Sequence, residues 1–291
     1  MSRPLLRWHG GKWKLAPWII EHFPPHRIYV EPFGGAASVL LRKRRSYAEI
    51  YNDLDAEVVN LFRVLRDPEQ ASALLRDLEL TPFAREEFKV SYERSDDPVE
   101  RARRLIILSF MGFGSNAHAM GGADRRGRTT GFRANSSRSG TTPAQDWRNY
   151  PDALPALIDR LRGVVIESRD AVEVMLQHDN PSTLHYVDPP YLPETRAPSN
   201  KYDLKYRMYR HELDVEGHHR LLEALCGLTG HVVLSGYPSA LYDAALTGWH
   251  RFERAAYADG ARRRTEVLWL NPRAADTLSA PKLPLTEPRA L

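Results

Sequence analysis

Between residues 28 and 55 the chain alternates strand-like and helix-like segments around a small-residue turn, and few architectures accept that pattern. Ile28-Tyr29-Val30 reads as a strand that ends at Glu31-Pro32 and meets Gly34-Gly35. Residues 36–45 then read as a helix, with Ala36, Val39 and Leu40 on one face and basic residues at its end, where the helix dipole favours them. Residues 47–51 give a second short strand, closed by Asn52-Asp53-Leu54-Asp55. Strand, glycine turn, helix, strand is the opening of a doubly wound α/β fold.

The alternation lapses after Asp55. Residues 56–65, 69–78, 82–92 and 98–111 read as helices, with Pro68, Pro82 and Pro98 as first-turn residues. About forty irregular residues rich in Gly, Ser, Thr, Asn and Arg follow Gly112, and loops of that length are usually functional or disordered. Alternation resumes with helix 154–161, strand 164–167, helix 171–176 and strand 184–187. Helix 214–225, strand 232–234, helix 239–246 and a strand pair at 250–254 and 265–270 complete it. The 291-residue chain is therefore expected to form one α/β domain from residues 1–55 and 155–271. A mainly helical insertion over 56–154 interrupts it, and a proline-containing tail over 272–291 is expected to be disordered.

The net charge of +4 conceals a sharp pattern. Residues 1–50 carry +6, residues 51–100 carry −7, and residues 101–150 carry +7 with nine basic side chains that are all arginine. Such a segment is either a solvated basic face or a local field for an anionic partner. One cysteine, Cys226, excludes an internal disulfide framework and a cysteine-based zinc cluster. His218 and His219 are adjacent, so they cannot share a helix face as metal ligands, and no metal site is expected. No apolar run approaches a membrane span, and Met1-Ser2-Arg3-Pro4 lacks the apolar core of a secretory signal. The expectation is a cytoplasmic protein with no membrane partner.

Four strings carry chemistry. Asp188-Pro189-Pro190-Tyr191 follows the strand 184–187, at the strand end where α/β sheets place ligands. The two prolines fix the Asp188 carboxylate and the Pro189 carbonyl beside the flat Tyr191 ring. Two acceptors and a ring suit an exocyclic amine on a planar base; the plainer alternative is a Pro-Pro turn. Glu31-Pro32-Phe33-Gly34-Gly35-Ala36-Ala37-Ser38 is a small-residue turn but not the G-x-G-x-x-G dinucleotide fingerprint. Asp53, eighteen residues beyond Gly35, can accept the two ribose hydroxyls of a nucleoside cofactor. Arg7-Trp8-His9-Gly10-Gly11-Lys12 fails as a phosphate-binding loop because Trp13 stands where Ser or Thr belongs. It leaves an aromatic face, two glycines and a lysine able to hold a carboxylate.

Taken in order, Trp8-x-Gly10-Gly11-Lys12, Glu31-Pro32-Phe33-x-Gly35, Asn52-Asp53 and Asp188-Pro189-Pro190-Tyr191 resemble the Dam-like (D12 class) N6-adenine-specific DNA methyltransferases. Glu167-Ser168-Arg169-Asp170 and Leu234-Ser235-Gly236-Tyr237 extend the resemblance over about residues 5–270. Ala37 departs from it, since the family often has glycine there. The resemblance implies a Rossmann-like S-adenosylmethionine-dependent sheet with helices on both faces, interrupted by a DNA-recognition insertion. It implies that Lys12 pairs with the methionine carboxylate of S-adenosyl-L-methionine beside Trp8 and Gly11. Phe33 and Gly35 would line the cofactor cleft above Glu31, Asp53 would take the ribose, and Asp170 would lie near the cofactor adenine. Asp188, Pro189, Pro190 and Tyr191 would hold a target adenine flipped out of double-stranded DNA.

Within the insertion, Arg125, Arg126, Arg128, Arg133 and Arg138 are the expected phosphate contacts, with Phe132 as a wedge or stacking side chain and Asn116 and His118 at base edges. Arg101, Arg103 and Arg104 could instead pair with Asp96, Asp97 or Glu100, and Arg262-Arg263-Arg264 is either a second phosphate contact or plain surface. A monomer is expected. It acts beside a separate cognate restriction endonuclease in a restriction-modification pair, or alone as orphan and phage enzymes do, in a prokaryotic or phage-infected cell. Three other functions use related residues: N4-cytosine methylation, where serine more often opens the tetrapeptide; methylation of an amide nitrogen, where asparagine does; and a DNA-binding protein that has lost catalysis. Lys12, Asp53 and Asp188 argue against the last.

Overall fold

The computed structural model describes residues 3–113, 131–135, 140–192, 195, 211–257 and 263–280. A short helix α1 (Ala16–Glu21) precedes strands β1 (Ile28–Glu31) and β2 (Ala48–Asn52). Helices α2 (Ala56–Arg66), α3 (Pro68–Leu80), α4 (Arg85–Val90), α5 (Pro98–Met111), α6 (Pro143–Arg148) and α7 (Leu154–Leu161) follow. The sheet then resumes with β3 (Val164–Glu167), α8 (Ala171–His178), β4 (Thr183–Val187), α9 (Val215–Gly227), β5 (His231–Gly236), α10 (Ala240–Ala245), β6 (His250–Tyr257), β7 (Arg263–Leu270) and α11 (Pro272–Ser279). Aspartates start several helices by accepting backbone N–H groups: Asp55, Asp67, Asp97, Asp170 and Asp214 cap α2, α3, α5, α8 and α9.

The seven strands lie in the order β3-β2-β1-β4-β5-β7-β6. β1 to β5 are parallel, and β7 pairs antiparallel with both β5 and β6. Side-chain alternation sends neighbouring residues to opposite faces, and both faces are covered. Tyr29, Tyr51, Val233 and Leu268 pack with α1, α2, α5, α7 and α11. Val30, Ile50, Leu234 and Trp269 face the other way, where α8, α9 and α10 cover them. This is the expected α/β methyltransferase-like layering, with near-continuous apolar strands because neither face meets water. The strand order reverses between β1 and β4, and a crevice opens at the carboxyl ends of the strands there.

The helices between β2 and β3 share the core of the sheet. Phe62 of α2 stacks on Tyr51 at 4.4 Å, and α5 contributes Ile106, Ile107 and Phe110 to the same apolar cluster. The chain leaves α5 at Phe113 and returns at Gly131 through a closed neck. Phe113 N donates to Gly131 O at 2.7 Å and Arg133 N to Met111 O at 2.8 Å. No helix among the described residues is long and apolar enough to cross a membrane.

Several expectations change. Residues 36–45 form successive turns rather than an α-helix, because Gly35 (φ 47°) and Ala37 (φ 51°) both adopt left-handed backbone. Alanine there costs about 1–2 kcal/mol relative to a right-handed conformation, which explains glycine as the family's usual choice. The irregular stretch after Gly112 contains α6, whose Thr142 and Gln145 form a reciprocal capping box. The tail begins as helix α11, not as disordered chain: Asn271 caps it, and Ala274 and Ala275 bury against the sheet. The +7 segment is partly neutralised within the fold. Arg101 meets Glu57 at 2.9 Å, Arg103 meets Glu100 and Glu87 at 2.6 and 2.9 Å, and Arg104 meets Glu100 at 2.6 Å.

Candidate active site

A cavity of about 550 Å³ lies at the carboxyl ends of the central strands. Each strand delivers a turn to it: Glu31–Val39 after β1, Asn52–Asp55 after β2, Asp170–Val172 after β3 and Asp188–Pro190 after β4. The volume falls in the range of about 300–1,000 Å³ typical of pockets for ligands larger than a few atoms. Trp8, Gly11, Lys12, Phe33 and Gly35 also line it, so every residue expected at the cofactor is brought to one space. His211, Leu213 and Arg220 line it as well and carried no sequence signal.

The turn after β1 needs its glycines for two different reasons. A Cβ on Gly34 would lie 2.0 Å from the Tyr51 ring. Gly35 has left-handed backbone, and a Cβ there would also lie 2.8 Å from Trp8 Nε1. Asn52 ties the strand ends together: its amide donates to Pro32 O at 2.9 Å and Arg169 O at 3.0 Å, and it accepts from Arg169 N at 2.9 Å. Its role is structural, which leaves Asp53 to face the cavity.

Asp53 accepts Gly35 N–H on Oδ2 and Asp55 N–H on Oδ1, both at 2.7 Å. One acceptor lone pair per oxygen is thereby used and one remains, which suits a pair of ribose hydroxyls. Removal from bulk water pushes its carboxyl up to about 6 despite those two donors. Glu31 is buried beneath the cavity and accepts Tyr29 Oη–H at 2.7 Å and Leu40 N–H at 3.0 Å. Burial pushes it up to about 8, so it is neutral at pH 7. Asp170 caps α8 through Val172 N at 2.9 Å and stands 3.6 Å from Arg220. The donor and acceptor set, the aromatic walls and the volume fit a nucleoside cofactor such as S-adenosyl-L-methionine.

The tetrapeptide after β4 forms the far wall. Asp188 Oδ1 accepts Ser235 Oγ–H at 2.8 Å and meets Lys12 Nζ at 2.9 Å. Two contacts thus fix the Asp188 carboxylate at the cavity wall. Lys12, which also lines the cavity, sets its ammonium against two protein carboxylates, Asp188 and Glu266 (3.5 Å). Tyr191 is buried with its hydroxyl donating to Glu266. Its ring carries Lys12 Nζ at 4.7 Å and meets Tyr237 edge-on at 4.5 Å, and the Arg264 guanidinium lies 5.7 Å from the Tyr237 ring.

Glu266, which holds Tyr191 and Lys12 in this wall, is the residue that sequence reasoning missed. Its signal was a lone acid inside the apolar strand Thr265-Glu266-Val267-Leu268-Trp269-Leu270. Because β7 runs antiparallel, its early residues reach the carboxyl edge of the parallel strands.

Two expected DNA contacts have other partners. Phe132, partly buried, packs 5.0 Å from Phe83 and 5.8 Å from Phe88, with Arg85 over its ring. Arg133 Nη1 donates to Phe110 O at 2.9 Å and helps to close the neck. Phe113, beside them, is the exposed aromatic, at 73%. Asn116, His118, Arg125, Arg126, Arg128 and Arg138 lie outside the described residues.

Comparison with known proteins places the chain among DNA methyltransferases. The chain is 29% identical to the DNA adenine methylase of Escherichia coli K12 over 38% of its own length and 42% of that protein. It is 34% identical to the DNA adenine methylase of Salmonella typhi over the same shares. A longer match, 28% identical, covers 67% of the chain and 68% of the type II methyltransferase M1.LlaDCHI of Lactococcus lactis. The chain thus matches about two-fifths of the length of the adenine methylases. A family model, described as D12 class N6 adenine-specific DNA methyltransferase, matches residues 8–235 and takes in the turns after β1, β2, β3 and β4. With those turns assembled around one cavity, the chain belongs to the D12 class N6 adenine-specific DNA methyltransferase family.

Proposed function

We propose that this protein transfers a methyl group from S-adenosyl-L-methionine to N6 of a flipped-out adenine in double-stranded DNA. The observation that carries the proposal is Asp188, held through Oδ1 by Lys12 and Ser235 at the wall of the cavity. When bound, the cofactor supplies a methyl group activated by its sulfonium. Asp53 takes the ribose hydroxyls, while Trp8 and Phe33 flank the cavity.

The adenine amine is a poor nucleophile because its lone pair is delocalised into the ring. Asp188 Oδ2 and the Pro189 carbonyl accept its two N–H bonds and favour a pyramidal nitrogen, whose lone pair can point at the methyl group. The same acceptors stabilise the positive charge that develops on N6 and hold the reactants in line. The N6 proton leaves after transfer, with Asp188 as its first acceptor. The remaining arginines of the 101–150 segment offset the cost of flipping, a few kcal/mol, through phosphate contacts.

Incubating the protein with labelled cofactor and a mixture of duplex DNA, RNA and protein tests the substrate class. Label is expected in the DNA. Label confined to RNA or protein would move the reading to amide or RNA methylation.

Asp53 gives a pH dependence. It accepts ribose hydroxyls only as a carboxylate, so affinity is full above its value of about 6 and weakens as pH falls through it. Below that point the loss is about tenfold per pH unit. Calorimetric titration of the cofactor from pH 8 to 5 measures it, and a flat profile contradicts the role.

A further inference from the structure

Glu266 lies beyond the family match and is 3% exposed, a carboxyl group buried in the sheet. Such a group is expensive to bury and persists only with strong partners. It has two, and both belong to the base-holding wall. Tyr191 donates its hydroxyl to Oε1, and Lys12 Nζ stands 3.5 Å from the same oxygen. Lys12 in turn meets Asp188 Oδ1 at 2.9 Å and lies over the Tyr191 ring. The acceptor and the ring of one tetrapeptide are thus both tied to Glu266, the ring directly and the acceptor through Lys12.

We infer that Glu266 is a positioning residue for methyl transfer: it clamps the Lys12 ammonium against Asp188 and the Tyr191 ring against Tyr237, so that acceptor and ring meet the target base in one geometry. This rests on the methyl-transfer reading above. The topology supplies the rigidity. Val267 pairs with Gly236 and Glu266 with Arg254, so backbone bonds to both neighbouring strands hold the residue in register. Burial pushes the Glu266 carboxyl up, Lys12 opposes that, and Asp188 adds to it. Tyr191 is held well above the usual phenol range by burial first and by Asp188 and Glu266 next, so it remains a hydrogen-bond donor.

Glu266→Gln keeps the shape and an acceptor for Tyr191 but removes the charge that holds Lys12. Misplacing reacting groups by about 1 Å costs on the order of 10²-fold in rate. The variant is expected to lose roughly 10- to 100-fold in kcat, with KM for cofactor and DNA within about twofold and an unchanged Tm. A second readout needs no turnover: acylation of Lys12 in the free protein by acetic anhydride, followed by mass spectrometry, should run several-fold faster in the variant. Unchanged labelling overturns the inference whatever the kinetics. So does a wild-type kcat, or a parallel loss of kcat, cofactor affinity and Tm, which would mark a purely structural residue. If the wild-type protein transfers no methyl group, the functional reading fails by itself, and the labelling still decides the clamp.

Discussion

Replacing Asp188 with alanine is expected to lower methyl transfer by about 10²–10³-fold or more while DNA affinity stays close to wild type. Removing one preorganised group that stabilises developing charge commonly costs that much, and Asp188 also aligns the amine. The side chain is a small part of the DNA-binding surface, so binding and turnover should separate. Lys12 keeps Glu266 as a counter-ion in the variant, so the wall does not acquire an unpaired buried cation. Single-turnover transfer beside a DNA-binding titration measures both quantities. If the two collapse together, Asp188 acts by holding the fold rather than the amine.

The largest stability effect is expected at Glu49, far from the chemistry. Its carboxylate meets Lys43 at 2.6 Å and takes a forked contact from Arg160 at 2.6 and 2.9 Å, with all three side chains buried. The network joins the turns after β1, strand β2 and helix α7. Burial alone would raise the Glu49 carboxyl, but Arg160 and Lys43 outweigh it and hold it below the usual range. Its stabilisation is therefore full above the ordinary carboxyl value and is lost as pH falls through the lowered native one. Glu49→Gln leaves two buried cations without their anion and should cost about 3–5 kcal/mol, roughly 10 °C in Tm for a chain of this size. A shift under about 2 °C would show that water or rearrangement replaces the carboxylate.

Much of the fold was legible in the residues because apolar periodicity and proline starts act locally. The helices at Pro68 and Pro98 and the strands at Val164 and His231 follow from such signals. What was not legible depended on contacts distant in sequence or on backbone handedness. The spacing of Ala36, Val39 and Leu40 is helical, yet left-handed Gly35 and Ala37 and the buried Glu31 carboxyl turn that segment into a cradle. The contacts of Phe132 with Phe83 and Phe88, more than forty residues earlier, likewise left no local signal. Most of the cavity was readable because four of its walls are contiguous strings after strands and Trp8–Lys12 is another contiguous string, whereas His211, Leu213 and Arg220 come from separate segments. The clamp behind Asp188 was not, because Glu266 reaches it only through the antiparallel return of β7.

The central claim concerns one atom of one base. Nucleoside mass spectrometry of duplex DNA methylated by the wild-type protein, with isotope-labelled cofactor, identifies that atom directly. Label is expected in N6-methyladenine alone. Label in N4-methylcytosine, or no label in DNA, would contradict it.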